Sequence, residues 1–346
     1  MSEDGFTYRD AGVDLEAASA VKDRIRTLVE STRTGDVRGE YGSFGGRFRL
    51  PEGAEIVASA DGVGTKLKVA FRAGRHDTVG RDLVNHCVDD ILTEGAVPLF
   101  FLDYFATGEL EEGVTLDVVE GIARGCRENG CALLGGETAE MPDFYGAGEY
   151  DLAGFVVGRV AFPEVGRREL QAGDRLVGLA STGIHTNGYT FARRVLFDRM
   201  GLEARDPWPG EGHEGASVAD VLLTVHRSYL GPLRDACEAG TVRALAHVTG
   251  GGIPGNLGRV LPAGLDAVVD LAGVPRPPEF DLLQEESGAS TREMYRVFNM
   301  GVGMIAFVRP GDEEAVLEGA RAAGCPAYPC GELVEGGGEV RLAGLP

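Results

Sequence analysis

The sequence predicts an α/β (α+β) protein of two mixed domains. Apolar runs of strand length alternate with apolar residues at helical spacing along the whole chain. The 346 residues exceed the roughly 150 of one typical domain. A turn-rich segment, Phe162-Pro163-Glu164-Val165-Gly166-Arg167-Arg168, interrupts the alternation near the middle. The expected domains are therefore 1–165 and 166–346.

Asp14 is placed to cap a first helix carrying Leu15, Ala18, Val21, Ile25, Leu28 and Val29. Residues 39–48, rich in glycine and without periodicity, read as a mobile loop. A short strand at 56–59 runs into Asp61-Gly62-Val63-Gly64-Thr65-Lys66. Val79, Leu83, Cys87, Ile91 and Leu92 mark a second helix, with Asp82, Asp89 and Asp90 along it. Residues 99–102 read as a buried strand. A third helix carries Leu116, Val119, Ile122, Ala123 and Cys126, and a strand at 131–134 ends in Gly135-Gly136-Glu137-Thr138-Ala139-Glu140-Met141-Pro142. A long strand is expected at 150–160.

In the second half, a strand at 176–180 leads through Thr182-Gly183-Ile184-His185-Thr186-Asn187-Gly188 into a helix from about Tyr189. Residues 206–215 read as an exposed excursion, and Thr249-Gly250-Gly251-Gly252 as a second glycine-rich turn. Strands at 302–308 and 328–334 flank a helix at 313–323. No collagen-like, coiled-coil or solenoid repeat is present.

Composition narrows the function. Fifty-four acidic against 33 basic residues give a formal net charge of -21. Such a surface repels nucleic-acid phosphates, and no basic cluster interrupts it, so no nucleic-acid partner is expected. No apolar run reaches the roughly 18 residues of a membrane span, and the acidic N-terminus lacks the features of a secretory signal. A cytoplasmic protein is the expectation. Only Lys22, Lys66 and Lys68 are lysines. Acidity with few lysines reads as adaptation to a salty cytoplasm, where the self-repulsion is screened; codon bias favouring arginine is the alternative. Six cysteines without a Cys-x2-Cys pair read as buried thiols in a reduced compartment.

Several constellations can carry chemistry. In Asp61-Gly62-Val63-Gly64-Thr65-Lys66, two glycines admit close backbone approach to a phosphate, Lys66 offers a point charge, and Asp61 an oxygen for Mg2+. The order of a P-loop is absent. A strand-ending turn with a surface lysine is the other reading. Asp61, Asp90 and Glu137 each border an apolar element and could share a magnesium ion with a polyphosphate, although most carboxylates of an acidic protein are merely solvated. His185, at a strand-to-helix turn, could move a proton near neutral pH or donate to a phosphate; a structural turn histidine is the alternative. His76, His86, His213, His226 and His247 show no metal-ligand spacing, so no zinc site is expected. Gly250-Gly251-Gly252-Ile253-Pro254-Gly255 satisfies Gly-x-Gly-x-x-Gly, but without a βαβ unit it reads as a turn rather than a dinucleotide site.

Taken together the motifs resemble the phosphoribosylformylglycinamidine cyclo-ligase (aminoimidazole ribonucleotide synthetase) family. The matching stretches are residues 8–14 (YRDAGVD), 61–66 (DGVGTK), 76–80 (HDTVG), 99–108 (LFFLDYFATG) and 135–142 (GGETAEMP). They continue at 150–158, 183–189, 247–252 (HVTGGG) and 294–304 (MYRVFNMGVGM). The resemblance spans about the first 305 residues; DGVGTK alone marks only the wider superfamily.

The resemblance implies ATP-dependent ring closure of formylglycinamidine ribonucleotide to aminoimidazole ribonucleotide, with ADP and phosphate released. ATP phosphorylates the formyl oxygen, an amidine nitrogen attacks that carbon, and phosphate leaves. It also implies a homodimer whose N-terminal sheets pair into a shared barrel, the first domain binding ATP and the second completing the substrate site. Carried over position by position, Asp61, Asp90 and Glu137 become the Mg2+–ATP carboxylates and Lys66 the phosphate contact. Gly62, Gly64, Thr65 and Thr138 join the nucleotide site, with Phe44-Gly45-Gly46 as its closing loop. Thr182, His185, Thr186, Asn187, Thr249, Gly250 and Gly251 become ribonucleotide contacts. Lys66, His185 and Asp61 are the expected catalytic residues.

Three positions depart from the family pattern. Asp89 stands where the family usually has asparagine, which adds a negative charge beside the expected metal. Arg26 replaces a usual lysine, and Ala60 a usual threonine or glycine. Among other ATP users of the superfamily, a selenophosphate synthetase would need a cysteine in its N-terminal loop, and a thiamine-phosphate kinase is the nearest enzyme alternative. A catalytically dead ATP-binding regulator is disfavoured, since no expected charge has become apolar.

Overall fold

A computed structural model describes residues 5–14, 21, 25–167 and 169–345. The first domain contains β1 (Val37–Arg38), β2 (Gly46–Arg49), β3 (Glu55–Gly62), α1 (Leu67–Ala73), α2 (Val79–Leu92) and β4 (Ala96–Thr107). It continues with α3 (Glu112–Asn129), β5 (Ala132–Glu140) and β6 (Tyr150–Val160). After α4 (Pro163–Arg167), the second domain runs through β7 (Arg175–Ala180), α5 (Tyr189–Arg193), α6 (Val218–Leu222), α7 (Leu230–Glu238) and β8 (Val242–His247). Then come α8 (Gly252–Leu257), β9 (Leu265–Asp270), α9 (Pro278–Ser287), α10 (Thr291–Val297), β10 (Val302–Val308), α11 (Glu313–Ala322), β11 (Ala327–Glu335) and β12 (Val340–Ala343).

Each domain holds one mixed six-stranded sheet, in the orders β1-β2-β3-β6-β4-β5 and β12-β9-β11-β7-β10-β8. In the first, only β4 and β5 run parallel, joined by α3 as a parallel pair requires. In the second, only β12 and β9 do. The glycine-rich turn after β8 does open α8, but β8 pairs with β10 and β9 with β11 and β12. No βαβ unit surrounds it, and the dinucleotide motif is a coincidence of spelling.

Helix α2 sits at the centre of the molecule. Every residue in it except Arg81 is buried. Leu83 and Ile91 lie against β6 where Gly154 and Gly158 leave room, and α3 packs beside them. Gly80 sets that approach: a Cβ there would lie 2.3 Å from the Val118 carbonyl oxygen. Any larger residue forces the two helices apart.

Several expectations change in three dimensions. The run at 99–102 belongs to a longer strand with only one face covered, leaving Leu99 42% and Leu102 37% exposed. The glycine-rich segment supplies β2 from Gly46, and Phe44 is buried. Residues 135–140 continue β5 instead of ending it. Cys131 is only partly buried; the other five cysteines are buried. Much of the first expected helix lies outside the described residues; 25–30 are helical.

Candidate active site

The seam between the domains is written on α2. Asp82, Asn85, His86, Asp89 and Asp90 recur at three- and four-residue spacing, one stripe of a helix. Burying such groups is costly unless each finds a partner, and the second domain supplies one for each. Asp82 Oδ1 accepts the His226 N–H at 2.7 Å, and Asn85 Nδ2 donates to the His226 carbonyl at 2.7 Å. Asp89 Oδ1 accepts the Tyr229 N–H at 2.7 Å. His86 Nδ1 meets Thr186 Oγ1 at 2.6 Å, and His247 Nδ1 donates to Asp90 Oδ1 at 2.8 Å.

Asp61, next to last in β3, places Oδ2 2.8 Å from His86 Nε2. Burial opposes charge on both partners, but each charge and their shared hydrogen bond outweigh it. The Asp61 carboxyl falls to about 2 and the His86 imidazole rises to about 9. Asp90 lies beside this pair, its Oδ2 accepting from Ser59 Oγ at 3.2 Å. Asp61 and Asp90 thus converge where β3, α2 and β8 meet.

Glu137 does not join them within one chain. Asp61 shares a sheet row with Gly154, Asp103 and Gly136, whereas Glu137 belongs to the next row with Tyr104 and Ala153. That puts it three strand spacings away, about 14 Å, on the opposite face. Glu137 and Thr138 are both exposed. One ion cannot bridge Asp61 and Glu137 of the same protomer.

Lys66 has no path to a phosphate in this geometry. It is fully buried, its Nζ 2.8 Å from Asp82 Oδ2, and it donates to the carbonyls of His185 at 3.1 Å and Thr224 at 2.7 Å. Burial lowers the ammonium and raises the Asp82 carboxyl, each opposed by the other's charge. Lys66 is therefore neither an open phosphate contact nor a surface residue; it ties the two domains together. Before it, Gly62 ends β3 and Gly64 takes φ +55°. Thr65 Oγ1 meets Thr190 Oγ1 at 2.9 Å.

His185 also differs from expectation. It stacks on His226 with ring centroids 3.9 Å apart and accepts the Thr182 N–H through Nε2 at 3.1 Å. Burial pushes its imidazole well below the usual range, so it stays neutral near pH 7 instead of shuttling protons there. Thr186 is buried between His86 and His226, while Thr182 Oγ1 donates to the Val225 carbonyl. Asn187 lies beside Gly250, where a Cβ would come within 3.1 Å of its Oδ1. Thr249 donates to Asn256, and Gly251 precedes α8 with φ +97°. The Phe44 carbonyl accepts from Ser59 at 3.1 Å, Gly45 packs on Val57, and Gly46 opens β2. The Arg259 guanidinium lies 3.7 Å from the Phe44 ring centroid and donates to the Gly42 carbonyl.

Sequence reasoning missed His86, His226, His247, Asp82 and Arg259. The spacing test for metal ligands sees only neighbours along the chain, and these histidines come from one helix, one loop and one strand. The α2 stripe was the available signal for His86 and Asp82; nothing local marks His226.

Residues 43–160 match the family described as AIR synthase related protein, N-terminal domain, and residues 171–343 its C-terminal domain. A phosphoribosylformylglycinamidine cyclo-ligase of Anaeromyxobacter dehalogenans is 49% identical over 338 residues, 96% of each chain. One from Sorangium cellulosum is 49% identical over 339 residues, again 96% of each. Among solved structures, a thiamine-monophosphate kinase from Stenotrophomonas maltophilia superposes with TM-score 0.59 at 18% identity, covering 94% of this chain and 96% of that one. That likeness shows the shared fold alone. With nearly full-length identity to such relatives, the chain belongs to the phosphoribosylformylglycinamidine cyclo-ligase family.

Proposed function

We propose that the protein closes the imidazole ring of aminoimidazole ribonucleotide from formylglycinamidine ribonucleotide, consuming ATP and releasing ADP and phosphate. The observation that carries this reading is the 49% identity, spanning 96% of both chains, to relatives named for that activity. The seam supports it chemically. Asp61 and Asp90 offer carboxylate oxygens suited to magnesium, which neutralises polyphosphate charge when bound. His86 holds Asp61 ionised, and Asp89, turned toward Tyr229, is not part of that pair. Thr186, Asn187 and the turn at 249–251 surround the same region and are assigned to the ribonucleotide, with Phe44, pinned by Arg259, covering it. Lys66 and His185 are assigned to positioning, since both are buried in contacts within the chain.

The working unit in this proposal is a homodimer. Leu102 and Phe155 pair across β4 and β6 on the face of the first sheet turned away from α2, and Phe155 is 45% exposed. A bare apolar sheet face of this kind asks for a covering surface, and the same face of a second copy would close a barrel. Glu137 lies on that side, so it reaches a nucleotide only from across the subunit contact, whereas Thr138, in the row of Phe105 and Leu152, belongs to the other face. The six free cysteines agree with a reduced cytoplasm. No helix among the described residues is long and apolar enough to cross a membrane. The charge of -21 is assigned to salt adaptation; equal stability with and without added salt overturns that assignment.

Incubating the purified chain with ATP, magnesium and formylglycinamidine ribonucleotide tests the central reading. The expected result is aminoimidazole ribonucleotide and ADP in equal amounts by mass spectrometry. ATP hydrolysis without cyclised product, or no turnover, overturns it.

A further inference from the structure

We propose that Asp89, His226 and His247 form a binding site for one zinc-class divalent cation, distinct from the magnesium carboxylates Asp61 and Asp90. One ligand atom from each lies within 4.8 Å of the others, and all three residues are buried, at 0%, 1% and 0% exposure respectively. The Nε2 atoms of His226 and His247 are 3.2 Å apart, and Asp89 Oδ2 is 3.4 Å from His226 Nε2. Donors held at about 2.0–2.1 Å around a tetrahedral ion stand roughly 3.3 Å from one another. Both separations fit that edge.

Proton counting shows why the arrangement suits a cation. His247 Nδ1 must carry its proton, because Asp90 Oδ1 is a carboxylate oxygen and can only accept. A neutral His247 then presents a bare lone pair at Nε2. Asp89 Oδ1 is engaged by the Tyr229 N–H, while its Oδ2 is buried and accepts no hydrogen bond. His226 can place at most one proton on Nε2, and that proton serves either His247 or Asp89. The other is left unpaired among buried side chains, which is costly. A divalent ion satisfies all three at once, with the His226 proton moved to Nδ1, where Thr186 Oγ1 is 3.3 Å away. Asp90 and Thr186 then orient the two imidazoles as outer-shell acceptors.

The donor set selects the metal. Two imidazoles and one carboxylate suit zinc, cobalt or iron, whereas magnesium prefers oxygen alone. A second buried group, His86, Asp90 and His247, is less suited, because both His86 nitrogens are already engaged by Asp61 and Thr186. The charge at position 89 matters to this choice, because an asparagine there would supply no anionic oxygen. The proposal departs from the expected lack of a zinc site because it rests on side chains that only the folded seam brings together.

Cobalt(II) is the probe, since four-coordinate cobalt absorbs visible light far more strongly than six-coordinate cobalt. The full-length protein, stripped with a chelator, is titrated with Co2+ in excess magnesium. The expected result is one equivalent bound with an intense four-coordinate spectrum, displaced by Zn2+. Asp89→Asn, close to isosteric, is expected to weaken Co2+ binding at least about tenfold, and His226→Gln to do the same. Circular dichroism establishes which variant is folded. No stoichiometric binding, a weak six-coordinate spectrum in the unaltered protein, or unchanged affinity in a folded variant overturns the site.

Discussion

The two six-stranded sheets solve the same packing problem differently. Every residue of β10 is buried, and its neighbours β7 and β8 are buried or nearly so. The β7-β10-β8 half of the second sheet is therefore covered on both faces within its own chain. The first sheet has α2 and α3 on one side and leaves Leu99, Leu102 and Phe155 exposed. That half of the second sheet is buried on both sides in a single copy, while the first sheet keeps one bare face. Between them runs a seam held by paired charges rather than by apolar packing alone. Under the proposed dimer, the difference means that stability and assembly fall to different halves of the molecule.

The largest effect should come from placing a charge on each sheet. Phe307→Asp buries an unpaired carboxylate in β10 and is expected to cost more than about 4 kcal/mol, leaving no cooperative unfolding transition. Phe155→Asp lies on the bare face and is expected to leave the fold intact. Sedimentation should then report a monomer with activity lost. A dimeric Phe155→Asp variant would refute the assignment of that face.

Breaking the seam should rank next. Lys66→Ala strands Asp82 in a dry interior, at a cost of roughly 3–5 kcal/mol. Combining Lys66→Met with Asp82→Asn keeps an acceptor for the His226 N–H and should recover more than half of that loss. Urea unfolding measures both variants, and no recovery in the double variant would show that the pair's charge is not what matters.

The Asp61–His86 pair sharpens the comparison through pH. His86 is raised from 6.5 to about 9, so its contribution to stability is full below about pH 6.5 and fades as pH rises through 9. Asp61 is lowered from 3.8 to about 2, so its contribution is present above pH 3.8 and disappears as pH falls through 2. The melting temperature should decline between pH 6.5 and 9, and His86→Asn should flatten that limb. An unchanged slope in the variant would assign it elsewhere.

The smallest effect belongs to Arg259. Its removal takes away the cation–π contact to Phe44 and one donor to Gly42. Arg259→Ala should cost about 1 kcal/mol and speed amide exchange in residues 39–45 by roughly fivefold, with the β10 core unchanged.

Strand and helix order was legible because hydrophobic period is local. The strand at 150–160 follows from its apolar run alone, and helical spacing by itself sets Asp82, Asp89 and Asp90 along α2. The motif DGVGTK marks an unusual turn, although its lysine serves the seam. What stayed hidden depends on partners distant in the chain. No local pattern shows that Leu102 faces outward, since a bare face and a buried one share the same alternation. Nor does spacing disclose that Glu137 lies on the other side of the sheet from Asp61, which is settled by strand order and register. The sequence by itself determined most element types and the acidity, because these are properties of neighbours and composition, and its motifs carried the resemblance to the family. Only the tertiary structure decided which charges meet, because His226 and Asp89, far apart in sequence, become partners when two domains bury one helix between them.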